Sequence, residues 1–248
     1  MIGFQNVSVE GQPSTHRVWQ FYIVCDVSRS MWNAEEWPDE KASPLYIMNE
    51  SLGLMLETLA DDIEASAIGR VAVITFGDNA TTHYPLTQID KPHRLDPLPK
   101  GNWTDYAAVW EHLNDTVRTD VTELQSKQYL PKQPVIFFIT DGNAIVQGRP
   151  QPIEKWSAAR DKLCSPDFAA RPRVVALGMG AVDRAVVRAL RSVDPPGAAY
   201  LANPGEPAST LLDAIIKVII VSITRSAARN AFTFPTPVGM TRLDGDGR

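Results

Sequence analysis

The chain has 248 residues and 44% hydrophobic content, enough for a full core, and its formal net charge of −5 with no basic stripe excludes nucleic-acid binding as its main task. Its two cysteines, Cys25 and Cys164, fit a reducing compartment and exclude a disulfide framework. The amino terminus lacks a secretory pattern, the apolar run Leu211 to Val221 is short and broken by Asp213 and Lys217, and no lipidation pattern occurs, so a cytoplasmic chain with no membrane span is expected.

Residues 1–16 read as a polar extension in which Val7 and Val9 hint at a short edge element. An apolar strand follows from Phe21 and ends at Asp26, with Ser28 and Ser30 at the next alternate positions. Trp32 to Glu40 is an acidic, aromatic loop that reads either as a solvated connector or as a rim with Trp32 and Trp37 as anchors. Leu45, Met48, Leu52, Met55, Leu59 and Ile63 recur at steps of three and four, the stripe of a long helix, while Asp61 and Asp62 read as a solvated face. Val71 to Phe76 is a central strand, and Ala80 to Leu86 an antiparallel edge strand, because the turn at Gly77-Asp78-Asn79 is too short for a crossover.

Pro92, Pro97 and Pro99 mark a loop before Gly101. Thr104 to Val117 reads as a helix, with Trp103 and Trp110 at a pocket edge, and Asp120 to Gln128 as a second short helix. Val135 to Thr140 is apolar on both faces, as a buried parallel strand must be, and closes on Asp141. After a loop from Asn143 to Pro152 come a helix (Ile153 to Leu163), a strand (Arg173 to Met179), a helix (Val182 to Ser192) and a short strand (Ala199 to Leu201). The last helix runs from near Pro207 to about Arg225. The tail beyond residue 228 is expected to be extended at its prolines and disordered from Leu243. This alternation gives a doubly wound, mostly parallel central sheet with one antiparallel edge strand and helices on both faces.

Asp26 and Asp141 both fall at carboxyl ends of strands, where such sheets bind ligands. Together with Ser28, Ser30 and Thr104 they make a set of hard oxygen donors without sulfur or imidazole, suited to Mg²⁺ or Mn²⁺ and not to Zn²⁺. These five, some reaching the ion through water, leave an octahedral position open to a further ligand.

Asp26-x-Ser28-x-Ser30, Thr104 ahead of a helix and Thr140-Asp141-Gly142 after a buried strand resemble the metal-ion-dependent adhesion site of von Willebrand factor A domains. The spacing, with Val73-Ile74-Thr75-Phe76 between them, resembles in particular the bacterial tellurite-resistance TerY type, over roughly residues 17–225. The resemblance implies that Ser28, Ser30 and Thr104 hold the ion directly and that Asp26 and Asp141 hold it directly or through water. It also implies that an Asp or Glu of a partner protein fills the last position, in a bacterial stress or conflict system that often includes a kinase and a phosphatase. The family usually carries Gly between the two serines; Arg29 stands here, at the rim or pointing away, where it could steer an acidic partner or weaken cation binding.

Carboxylates, hydroxyls and Mg²⁺ at a strand end also describe phosphatases and phosphotransferases in which an Asp, here Asp26, attacks phosphorus. That alternative lacks a second acid or base and a lysine clamp, Arg29 being the one candidate cation. A nucleotide loop is not supported: Ser28-Arg29-Ser30 lacks glycines, and Gly178-Met179-Gly180 lacks the third glycine of a dinucleotide fingerprint. His16, His83, His93 and His112 share no spacing, and both thiols read as inert.

Overall fold

The computed structural model describes residues 17–90 and 95–243. The readings made for residues 1–16, for Pro92 and His93, and for 244–248 lie outside the described residues. In chain order the first half contains β1 (Arg17–Asp26), α1 (Pro44–Ala60), α2 (Ile63–Ile68), β2 (Gly69–Phe76), β3 (Ala80–Gln88) and α3 (Tyr106–Ser126). The second half contains β4 (Leu130–Pro131), β5 (Val135–Thr140), β6 (Ile145–Val146), β7 (Arg149–Pro150), α4 (Ile153–Leu163), β8 (Arg173–Gly178), α5 (Arg184–Leu190), β9 (Ala198–Ala202), α6 (Ala208–Arg229) and β10 (Met240–Arg242).

Along β1 the side chains alternate: Trp19, Phe21, Ile23 and Cys25 enter one core layer, Tyr22 and Val24 the other. A strand that is apolar on both faces needs a helical layer on each side. Met48, Leu52 and Met55 of α1 and Ile215 and Ile219 of α6 supply one layer. Trp110 and Leu113 of α3, Trp156 of α4 and Val187 of α5 supply the other. The sheet order β10-β9-β8-β5-β1-β2-β3 places β1 between two parallel neighbours, with Cys25 opposite Ile139 of β5 and Asp26 opposite Phe76 of β2. The chain builds β2 and β3 on one side of β1, then crosses through α3 to build β5, β8 and β9 on the other. The switch point lies between the carboxyl ends of β1 and β5.

Local chemistry explains where elements differ from the sequence reading. The long helix expected through Ile63 is divided, because Asp62 caps α2 by accepting from the Glu64 and Ala65 backbone N–H groups and is no mere solvated face. The two helices expected between Thr104 and Gln128 are one, since no Gly or Pro interrupts Tyr106–Ser126. Trp110 is fully buried and stacks on Phe138 with ring centroids 5.5 Å apart, so it is a core residue and not a pocket edge. The loop after Asn143 contains the small β6–β7 hairpin. α6 extends to Arg229, where Asn230 takes a left-handed conformation (φ 52°) that ends it. The tail then returns along the sheet: β10 pairs antiparallel with β9, Met240 opposite Ala202, and adds a second antiparallel strand at the far edge. Leu243, expected to be disordered, is buried, and its carbonyl accepts from Arg188 Nε at 3.1 Å. Among the described residues no helix is long and apolar enough to cross a membrane.

Candidate metal centre

Asp26 ends β1, and Asp141 directly follows β5 on the neighbouring strand. Beyond Asp26 the chain rolls over: the Ser28 backbone N–H donates to Asp26 Oδ1 at 2.9 Å, and Arg29–Met31 form a 3-10 turn. This turn brings the Ser28 and Ser30 hydroxyls within 3.3 Å of each other, and Ser30 Oγ donates to Asp141 Oδ1 at 2.8 Å. Four of the five residues singled out in the sequence therefore form one hydrogen-bonded chain.

Thr104 reaches the same end of the sheet through its backbone. The Gly101 N–H donates to Val27 O at 2.8 Å, the Asp105 N–H to Gly77 O at 3.0 Å, and Thr104 exchanges backbone bonds of 2.9 and 3.1 Å with Ile145. The loop approaches the β2 end closely: a Cβ on Gly101 would lie 3.1 Å from the Gly77 Cα, tighter than an ordinary contact, so the neighbouring backbone would have to give way slightly. Asp105 caps α3 by accepting from the Ala108 N–H and also holds Gln151 Nε2, which ties the hairpin to the helix start. Thr104 is buried, but among the described residues its hydroxyl joins none of the bonds linking the other four.

Two residues beneath the site were not among the candidate ligands, although Thr140 belongs to the Thr140-Asp141-Gly142 motif. Thr140 Oγ1 donates to Asp26 Oδ2 at 2.7 Å and lies 3.0 Å from the Tyr106 hydroxyl, which in turn donates to the Gly142 carbonyl at 2.7 Å. All three of Asp26, Thr140 and Tyr106 are fully buried. A hydroxyl at the end of an otherwise apolar strand was the available signal for Thr140, since a buried hydroxyl needs a partner. For Tyr106 the sequence held no such signal.

Burial pushes the Asp26 carboxyl above the ordinary range, against the lowering effect of the Ser28 and Thr140 bonds. Burial and then the charge of Asp26 push Asp141 up as well, with Glu36 adding to the effect. Two carboxylates thus meet in a low-dielectric crevice, and the neighbouring charges that shift Asp141 are negative. An oxygen-donor set with this uncompensated charge fits a hard divalent cation. No group of three or more His, Cys, Asp or Glu that could hold a metal occurs among the described residues, so a site here depends on the hydroxyls.

The acidic loop is fastened to the site. Trp32 Nε1 donates to Gly101 O and Trp37 Nε1 to Ser30 O, each at 2.9 Å, and both rings are half-buried. Arg29 is exposed on the outer side of its turn and pairs with Glu35 at 3.7 Å. His112 bonds Thr82 at 2.8 Å and His83 the Asp96 carbonyl at 2.8 Å, both structural contacts. Cys25 is buried in the core, with its thiol pushed up by burial and by Asp26, and burial pushes Cys164 up to about 11.

No protein-family model and no curated protein matches the chain. Solved structures do. Proximal thread matrix protein 1 from the mussel byssus, in a structure with a zinc-occupied MIDAS motif, superposes with TM-score 0.54 at 13% identity over 84% of this chain and 48% of its own. A von Willebrand factor type A protein from Catenulispora acidiphila gives TM-score 0.54 at 14% identity over 84% of this chain and 43% of its own. The pilus adhesin SpaC from Lactobacillus rhamnosus GG gives TM-score 0.59 at 10% identity over 87% of this chain and 31% of its own. The chain spans less than half the length of each of these. The doubly wound sheet, parallel except at its two edges, and these superpositions together give the chain the fold of the von Willebrand factor type A domains.

Proposed function

We propose that the chain is a non-enzymatic protein-interaction module that captures an acidic residue of a partner protein through a divalent cation, Mg²⁺ or Mn²⁺. Ser28, Ser30 and Thr104 would hold the ion directly, and Asp26 and Asp141 directly or through water. The bound cation would supply the positive charge that a partner's Asp or Glu carboxylate completes. The observation that carries this reading is the Ser30–Asp141 bond of 2.8 Å, which joins residues far apart in the chain into one oxygen-lined crevice. The zinc-occupied MIDAS motif of the mussel neighbour supports a divalent ion in a site of this kind. The finer assignment, a cytoplasmic bacterial protein of TerY-like type acting with a kinase or phosphatase in a stress or conflict system, rests on sequence resemblance.

The phosphotransfer alternative has geometry against it. Asp26 is fully buried, one oxygen accepting from Ser28 N–H and the other from Thr140, which leaves it badly placed to attack phosphorus. The test is thermal unfolding with Mg²⁺, Mn²⁺ and Zn²⁺ in separate titrations. Mg²⁺ is expected to raise the Tm, and the double change Asp26→Ala with Asp141→Ala to abolish the rise. An equal rise in the double variant would show that the site is misassigned.

A further inference from the structure

α1 turns one face into the core through Met48, Leu52, Met55 and Leu59 and leaves another to solvent. On the outer face Glu50, Gly53, Leu54 and Glu57 recur at i, i+3, i+4 and i+7, so they lie in one stripe along the helix. They line a cavity of about 490 Å³. A second cavity of about 280 Å³ shares Asn49 and Glu50 with it and is bordered by Trp32, Tyr46 and Leu98. The two run together as one groove, and Trp32 fastens its far end to the Gly101 carbonyl at 2.9 Å.

Nothing inside the chain accounts for this stripe. Gly53 disfavours the helix interior it occupies, and a Cβ there would meet nothing within 4 Å, so no internal contact calls for glycine. A bare backbone at that point does let another helix approach closely. Beside it Leu54 is 63% exposed. α1 holds no Lys or Arg, and among the described residues neither Glu50 nor Glu57 forms an ion pair. Glu57 lies in the last turn and Asp61 follows as the C-cap, where the helix dipole disfavours negative charge. At the Trp32 end Lys100 and Glu40 pair at 3.0 Å, so the uncompensated charge of the groove is that of Glu50 and Glu57.

We infer that this face docks a basic amphipathic helix of a partner protein, with its backbone over Gly53, apolar side chains on Leu54 and Tyr46, and Lys or Arg residues facing Glu50 and Glu57. The two glutamates stand two turns apart, about 10 Å along the axis, so basic residues two turns apart on a helix lying beside α1 meet both at once. The charge of the groove selects a basic segment, and its apolar floor selects one with an apolar stripe. This surface is separate from the metal centre and needs no ion.

The test uses the full chain in chelator. The probe is a capped helical peptide of about 18 residues, built from Leu, Lys and Ala with its leucines three and four apart, beside a scrambled isomer of the same composition. Calorimetry is expected to show saturable binding of the helical peptide at about 0.1 mM or below, with the isomer at least about tenfold weaker. Glu50→Gln with Glu57→Gln is expected to weaken binding at least about tenfold, whereas Glu111→Gln with Glu154→Gln, an equal change in net charge elsewhere, changes it by less than about twofold. Gly53→Met is expected to block docking without lowering the Tm, because its side chain meets open space. In the unmodified protein, amide shifts centred on Gly53, Leu54 and Glu57 locate the peptide without any variant. Absence of saturation, equal binding of the isomer, equal losses in the two glutamate pairs, a Gly53→Met variant that binds like the parent, or shifts centred elsewhere would each overturn the proposal. A concentration-dependent dimer of the parent that Gly53→Met abolishes would assign the face to a second copy of this chain and overturn it as well.

Discussion

Replacing Thr140 by Val tests whether the buried layer under the site fixes Asp26. The substitution keeps shape and volume nearly constant but removes the hydroxyl that donates to Asp26 Oδ2 at 2.7 Å and lies 3.0 Å from the Tyr106 hydroxyl. Tyr106 keeps the Gly142 carbonyl as an acceptor, so the groups that lose a partner are one carboxylate oxygen of Asp26 inside the core and the Gly142 N–H, which donates to Thr140 Oγ1 at 3.4 Å. A hydrogen bond to a charged acceptor contributes about 1.5–3 kcal/mol, and a loss near 2 kcal/mol is expected in urea unfolding at neutral pH in chelator. In the proposed metal site Asp26 would also lose the contact that orients it, and changes to a group supporting a metal ligand typically cost about 10–100-fold in affinity. Thr140→Ser, which keeps the hydroxyl and loses only a methyl group, is expected to retain most of the Mg²⁺ response. The reasoning fails if Thr140→Val unfolds within about 0.5 kcal/mol of the parent and binds Mg²⁺ with unchanged affinity.

Three further outcomes are expected. Gly53 lies inside α1 and a Cβ there meets nothing within 4 Å, so Gly53→Ala should stabilise the protein by about 0.5–1 kcal/mol, visible as a higher urea midpoint. Leu243→Ala should cost about 2 kcal/mol, because the side chain is buried against the α5 side of the core; a change near zero would mean that the tail does not pack. Burial lowers the pKa of His112, so the unfolded chain takes up a proton before the native state does as pH falls below about 6.5. Its contribution to stability is therefore present above that pH and lost below it, and the difference between parent and His112→Gln should shrink on acidification. A difference that grows instead would reverse the sign of the shift.

Much of the candidate site's convergence was legible because its residues lie in runs that are short and local. Asp26, Ser28 and Ser30 follow one apolar strand at alternate positions, and Asp141 follows another, so residue type and strand ends were enough to propose that they converge. Thr140 and Tyr106 were not legible as a pair, because their contact crosses from a strand to a helix on another part of the chain. Trp110 shows the reverse error: its place near Thr104 in the sequence suggested a rim, yet the helical turn carries it inward onto Phe138. β10 was hidden for a similar reason. A three-residue strand among Pro and Gly has no periodicity of its own, and it exists because β9 offers unpaired backbone groups.

The alternation of apolar strands and striped helices, dictated by side-chain period, determined the layered α/β architecture and the ends of the strands where the carboxylates sit. Strand order was beyond its reach, because pairing partners are chosen by long-range packing and not by local pattern. Only the tertiary structure placed β5 beside β1, bringing the Asp141 carboxylate within 2.8 Å of the Ser30 hydroxyl, and folded the tail back so that two arginines and three aromatic rings line one cavity. Both clusters join residues distant in the chain, and such distances are closed by burial of the core between them.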